Sequence, residues 1–345
     1  MAFVLQPFVQ TRNQHSVRHA FAYGLKTYEV PGVSGVSGVS GVSLTICVPR
    51  HKVRQFHHIS TIASRCLRRF DSFVEDQRQK KNEGKLLMLT NTMIVSDIDD
   101  TIKWSHILGP EVIVDAPNYH LAFKGMPELY SSLAKAGAQF AYVTGAPDIV
   151  IDKLQIDSIP HKVVRTNHFP DGQIYLHKRG ESIEAFKTTT ITDIMKQNPS
   201  FGFILIGDNG QRDVDTYANL RQDKGVGSQV KEVFIHKIYE GGSSTEPMPD
   251  QHAFVTAAEL AAMLYSLNYM NEADLQSVVK IVYAGMNDKG EDHNLTLPFA
   301  AQLVSAQVDA IYGSIPKTID SPTQTALDGI HNLILKQAAA GPRPF

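Results

Sequence analysis

Two short apolar runs in this sequence end abruptly in carboxylates, and that pattern constrains the fold more than any other feature. Ile94-Val95-Ser96 runs straight into Asp97-Ile98-Asp99-Asp100-Thr101, and Phe203-Ile204-Leu205-Ile206 runs into Gly207-Asp208-Asn209, with Asp213 close behind. Continuous apolar runs of this kind predict strands buried on both faces. Residues 139–144 predict a second strand, 162–165 a short third and 233–236 a fifth, with 203–207 as the fourth; 86–89 is a further apolar run before the first acidic cluster. Helical spacing falls between them, near 126–136, 147–156, 181–197 and 211–222. Strands alternating with helices predict an α/β fold, a Rossmann-like parallel sheet with helices on both faces. Ligands of such sheets sit at the C-terminal strand ends, where these carboxylates fall.

The flanks read differently. The 345 residues divide into a basic N-terminal region at 1–85, the α/β core at 86–250 and a helical region at 251–345. Residues 1–85 hold 13 Lys/Arg against 5 Asp/Glu, a surplus of eight positive charges; the rest of the chain carries ten net negative ones. Within the basic region, 32–43 repeat the triplet Gly-Val-Ser, too short a period for a solenoid and suited to a flexible loop. Residues 51–80 predict a long amphipathic helix, with Val53, Phe56, Ile59, Ala63, Leu67 and Phe70 on one side and many arginines elsewhere. The plainer reading packs that helix on a core; the other lays it on an anionic membrane. Four helices are predicted at 258–268, 274–286, 299–312 and 323–337. Their apolar stripes read as packing surfaces, and a protein partner for this tail stays open.

Composition excludes several classes. No apolar run is long enough to span a bilayer, and the N-terminus is too polar for a secretory signal. The expectation is a cytoplasmic protein with reversible contact at a membrane surface. Cys47 and Cys66 rule out a disulfide framework or a CxxC site. His57, His58, His161, His168 and His177 follow no metal-binding spacing and read as surface or loop residues. No phosphate loop, serine elbow or aromatic stripe among basic strands is present, so no nucleic-acid partner is expected. The one tryptophan, Trp104, reads either as packing or as a substrate contact.

Carboxylates at a strand end repel one another and lose hydration, so they call for a cation or another charged partner, the plainer reading being a solvated acidic turn. Hard oxygen ligands suit Mg²⁺. If the two acidic strands are neighbours, Asp208 shares that cation with Asp97 and Asp99. Thr144-Gly145-Ala146-Pro147 adds a hydroxyl at a third strand end, with Pro147 placed to open a helix whose N–H groups would meet a phosphate. Lys187 lies on the helix before the fourth strand.

These four features, in this order, resemble the haloacid dehalogenase superfamily of aspartate-nucleophile phosphohydrolases. Asp97 and Asp99 match its DxDxT motif, Thr144 its second motif, Lys187 its third, and Asp208 with Asp213 its fourth. DIDDTIK at 97–103, FKGMPELY at 123–130, FPDG at 169–172 and FILIGDNGQRD at 203–213 are similar to the App-type phosphatidate phosphatases, which are related in function to the lipins. The similarity covers about residues 93–240. Thr144 stands where the group has Ser, and Asp148 replaces its aromatic residue after the proline. Lys178 is the rival for the third motif.

The resemblance implies a Mg²⁺-dependent phosphatase of the HAD fold without a large cap, acting on a phospholipid at a membrane surface. Asp97 is then the nucleophile and Asp99 the acid and base. Thr101, Thr144, Gly145 and Lys187 bind substrate phosphate, and Asp97, Asp99, Asp208 and Asp213 surround the metal. Asp100 reads as an exposed loop residue. Intervals of 43 residues from Thr101 to Thr144 and from Thr144 to Lys187 leave little room for a lid, which suits bulky substrates. The alternatives are a phosphatase for protein or inositol phosphates, and a catalytically silent lipid-binding module.

Overall fold

The computed structural model describes residues 25–29, 45–49, 89–108, 112–115, 117–147, 158–178, 180–210, 212–239, 244–288, 305–315, 319 and 321–339. The chain divides into two compact units, Met1–Lys80 and Lys81–Phe345. In the first, β1 (Leu25–Glu29) pairs antiparallel with β2 (Thr45–Pro49), Leu25 opposite Pro49 and Glu29 opposite Thr45. The sequence pattern predicts neither strand. The Gly-Val-Ser repeat between them and the basic helix expected at 51–80 lie outside the described residues.

The second unit is built on a six-stranded, all-parallel sheet. Its strands are β3 (Thr92–Ser96), β4 (Gln139–Pro147), β5 (Gln173–His177), β6 (Gly202–Asp208), β7 (Val230–His236) and β8 (His252–Phe254). Their spatial order is β5-β4-β3-β6-β7-β8. The chain builds outward from β3 to β5, then returns to the other side of β3 and builds β6 to β8. That reversal makes a topological switch point between β3 and β6, where Ser96 stands opposite Ile206.

Side chains alternate between two cores along each strand. Ile94, Phe140, Tyr142, Ile204, Ile206 and Phe234 face one. Met93, Val95, Ala141, Val143, Leu205 and Val233 face the other. Both sets are buried, which is why the sequence shows continuous apolar runs rather than alternation. The second face is closed by α4 (Ile183–Gln197) and α5 (Asp213–Gln222). The first is closed by α2 (Met126–Lys135), α3 (Ile159–Thr166) and four C-terminal helices: α6 (Ala257–Ser266), α7 (Glu272–Asn287), α8 (Ser305–Ser314) and α9 (Ser321–Ala339). One short turn of helix, α1 (Val112–Asp115), interrupts the loop between β3 and α2.

Two expectations change, and one strand is new. Residues 162–165 are not a strand but part of α3: Pro160 sits in its first turn, and Pro160, Val163 and Val164 are buried at helical spacing. The third strand of the six-stranded sheet in chain order is instead β5, a sheet edge whose half-buried residues give a weak apolar signal. Pro147 itself is not helical. It ends β4, after a register irregularity that begins at Thr144, and the helix expected beyond it lies outside the described residues. β8, three residues long, has no counterpart in the sequence reading.

Candidate active site

The switch point brings Asp97, Thr101, Lys187, Asp208 and Asp213 together, all of them selected from sequence. The Asp97 N–H donates to the Ile206 carbonyl at 2.9 Å, extending the β3–β6 ladder one step and fixing the Asp97 backbone. Its Oδ2 accepts from Thr101 Oγ1 at 3.2 Å, and its Oδ1 meets Lys187 Nζ at 3.0 Å. Lys187 reaches in from α4 and also donates to Asp213 Oδ1 at 2.5 Å. Asp213 is the first residue of α5, and its Oδ2 accepts from the Asp208 N–H at 3.3 Å. Gly207 makes room for this: a Cβ there would lie 2.4 Å from Asp213 Oδ2. Asp208 Oδ1 accepts from the Gly210 N–H at 2.5 Å. Asn209 binds the chain after β7, its Oδ1 accepting from the Ile238 and Tyr239 N–H groups, each at 2.9 Å.

Asp97, Asp208 and Asp213 each place a carboxylate oxygen within 4.8 Å of the others. All three, and Lys187, are fully buried. Burial pushes the Asp97 carboxyl up to about 8; Lys187 pulls against that, while Asp213 and Asp99 push further. Burial raises Asp208 well above its ordinary value, with Asp213 and Asp97 adding to it. Asp213 is raised by burial as well, though Lys187 opposes. Burial pulls the Lys187 ammonium down, but the carboxylates of Asp213, Asp97 and Asp208 outweigh it and hold it above its usual range. Three carboxylates beside one ammonium leave two negative charges in a dry site. One divalent cation balances them, so the residues fit a metal.

Asp99 stands apart from this trio. Its Oδ1 accepts from Ser105 Oγ at 2.5 Å, and its Oδ2 accepts from Thr144 Oγ1 at 3.2 Å. Thr144 in turn accepts from the Ala146 N–H at 3.0 Å, and Gly145 between them is buried at the same strand end. Lys103 Nζ lies 3.6 Å from Asp99 Oδ1. Burial lowers the Lys103 pKa, opposed by Asp99 and Asp100.

Asp100 is not the exposed loop residue expected from sequence. It is fully buried and adopts the left-handed region at φ 59°. Its Oδ1 accepts from the Ser105 and His106 N–H groups at 2.7 and 2.9 Å, and its Oδ2 from the Ile107 N–H at 2.8 Å and from the Tyr239 hydroxyl. Burial pushes its carboxyl up and these donors pull it back. The His236 ring sits between the Asp100 and Val255 carbonyls, 2.9 Å from each. Burial lowers its pKa to about 4.

Lys187 is at the site, whereas its rival Lys178 is exposed beyond β5. Trp104 packs against the first core, and its indole N–H donates to His106 Nε2 at 2.9 Å. His161 and His168 are exposed and His177 half-buried; His57 and His58 lie outside the described residues. Sequence reasoning missed Lys103, Ser105, His106, Asn209, His236 and Tyr239. The only local signal was that Lys103 and Ser105 directly follow the acidic cluster.

Residues 92–237 match the family model "Phosphatidate phosphatase APP1, catalytic domain". The chain is 29% identical over 140 residues to "Phosphatidate phosphatase APP1" of Saccharomyces cerevisiae, a match covering 36% of this chain and 22% of the yeast protein. The matched segment contains Asp97, Asp99, Thr144, Lys187, Asp208 and Asp213, the residues that the fold gathers at the switch point. Residues 92–237 therefore form a phosphatase catalytic domain of the App-type phosphatidate phosphatase family.

Proposed function

We propose that this protein hydrolyses phosphatidate to diacylglycerol and phosphate, with Mg²⁺ as its metal and an aspartyl-phosphate on Asp97 as the intermediate. The observation that supports it most is the paired burial of Asp97 and Lys187 at the switch point, inside the segment that matches the family. Asp97 attacks phosphorus as the P–O bond to the lipid breaks, and Asp99 delivers a proton to the departing alkoxide. Water then attacks the phosphorus, Asp99 takes its proton, and Asp97 is released with inorganic phosphate. Lys187, the Thr144 hydroxyl and the Gly145 backbone bind the phosphoryl oxygens. Thr101 holds the Asp97 carboxylate by the hydrogen bond to its Oδ2.

Asp97, Asp208 and Asp213 are the carboxylates that would hold Mg²⁺, and the Asp99 backbone carbonyl would be a further ligand. Bound there, it supplies the positive charge that keeps these acids ionised and offsets charge on the phosphoryl oxygens. The substrate would be met at a lipid surface; no helix among the described residues is long and apolar enough to cross a bilayer.

Phosphate release from phosphatidate vesicles, with Mg²⁺ or with EDTA, tests this reading for the wild type and Asp97→Asn. Release is expected with Mg²⁺ alone, and Asp97→Asn is expected to reduce it at least about a thousandfold. Release only from inositol phosphates or a phosphopeptide would keep the mechanism and discard the lipid. No release from any of them, by a folded protein that binds vesicles, would favour the silent lipid-binding module.

A further inference from the structure

Lys103 and Ser105 form a small polar chain that ends on Asp99. Lys103 Nζ donates to Ser105 Oγ at 2.5 Å, to the Asp115 carbonyl at 3.0 Å and to the Trp104 carbonyl at 3.2 Å. Those three oxygens use the three protons of the ammonium, so Lys103 is a donor only. Ser105 Oγ therefore accepts from Lys103, and its single proton is left for Asp99 Oδ1 at 2.5 Å. Lys103 and Ser105 are both fully buried, so water does not compete for these bonds. The serine is placed by its own backbone: the Ser105 N–H donates to Asp100 Oδ1, and the neighbouring N–H groups of His106 and Ile107 donate to the same carboxylate. Asp99 is thus gripped on one oxygen and left with the other turned toward Thr144 at the site.

We propose that Ser105, with its acceptor position filled by Lys103, is a positioning residue that commits Asp99 Oδ1 to accepting a hydrogen bond and reserves Oδ2 for proton transfer to the leaving alkoxide. Ser105 touches neither the reacting atoms nor the carboxylates that fit a metal, and it acts through Asp99. The inference rests on the acid role given to Asp99 above. It adds a consequence specific to proton delivery: loss of Ser105 should matter in proportion to how much the leaving group needs a proton.

The test compares kcat/KM for the wild type, Asp99→Asn, Ser105→Ala and Ser105→Thr on phosphatidate in mixed micelles and on 4-nitrophenyl phosphate. This ratio reports the steps up to ester cleavage, before water enters. A lipid alkoxide needs the proton, whereas nitrophenolate leaves without one. Asp99→Asn is expected to lose about a hundredfold or more on phosphatidate and far less on the aryl ester. Ser105→Ala should repeat the contrast more weakly, roughly tenfold against less than threefold, and Ser105→Thr should restore most of it. Thermal melts confirm that each variant is folded. If Asp99→Asn shows the contrast but Ser105→Ala loses equally on both substrates, or loses nothing, the serine's role is refuted. If Asp99→Asn shows no contrast, the acid role itself fails and the proposal with it. Should the wild type not turn over the aryl ester, rescue by Ser105→Thr with KM unchanged on phosphatidate decides the matter, and absence of rescue overturns the proposal.

Discussion

Lys187 holds two of the three buried carboxylates, and the balance at that point makes the site sensitive to pH and to metal. Asp97 rises from 3.8 to about 8 because burial disfavours its charged form, and Asp208 and Asp213 are raised for the same reason. Between about pH 4 and pH 8 the folded, metal-free protein then binds more protons than the unfolded chain. Its stability should fall as pH rises through that window. A divalent cation binds the deprotonated carboxylates, so its stabilising effect should grow over the same range. The expected result is a Tm in EDTA that declines from about pH 5 to about pH 8, with an increment from Mg²⁺ that is larger at the higher pH. A Tm in EDTA that stays flat or rises, with no metal increment, would show that these carboxylates are not coupled as the geometry requires.

Asp100 and the loop it holds belong to the scale of elements. The left-handed Asp100 turns its side chain into a ring of donors from residues 105–107 and Tyr239, so one carboxylate shapes the whole turn after β3. From sequence Asp100 looks like a third solvated acid, because Tyr239 is 139 residues away. Lys103 is also held from further along the chain: its partners include the Asp115 carbonyl from α1. Asp100→Asn replaces one acceptor oxygen with a donor that faces N–H groups. We expect it to destabilise the protein by about 3 kcal/mol, a Tm loss of roughly 6–12 °C, and to lower activity as Ser105 loses its place. Tyr239→Phe removes one donor and should have a smaller effect of the same kind; scanning calorimetry and phosphate release check both.

The folding unit is larger than the family match. That match ends at residue 237, yet α6 to α9 bury Leu260, Leu264, Val278, Val282, Ile330 and Ile334 in the core that also holds Ile94, Ile204 and Phe234. Gly125 marks how close the layers come. It caps α2 at φ 86°, and a Cβ there would lie 2.8 Å from Val282 Cγ2 and 3.0 Å from Ala257 Cβ. Glu259 fastens the tail from within, closing the α6 capping box with Thr256 and accepting from the Tyr312 hydroxyl of α8. Each buried aliphatic side chain is worth about 1.5–3 kcal/mol, so removing these helices takes away more than a domain's usual margin of about 5–15 kcal/mol. A chain ended before Ala257 is therefore expected to be insoluble or unfolded by circular dichroism. A soluble, cooperatively melting fragment would show that the catalytic segment folds without its tail.

By itself the sequence determined the α/β class, four of the eight described strands (β3, β4, β6 and β7), most of the helices, and the acidic strand ends. Each is a local pattern: an apolar run, a helical spacing, or a carboxylate following β3 or β6. The same local reading mistook 162–165 for a strand, since two adjacent valines suit either structure and only packing on the first core selects the helix. Tertiary structure decided which acids work together. The chain reversal after β5 sets β6 beside β3 and so brings Asp208 and Asp213 to Asp97. It also chose Lys187 over Lys178, and buried Asp100 against Tyr239, a partner remote in sequence. Charge pairing in a dry site depends on distances through space, which no spacing along the chain encodes.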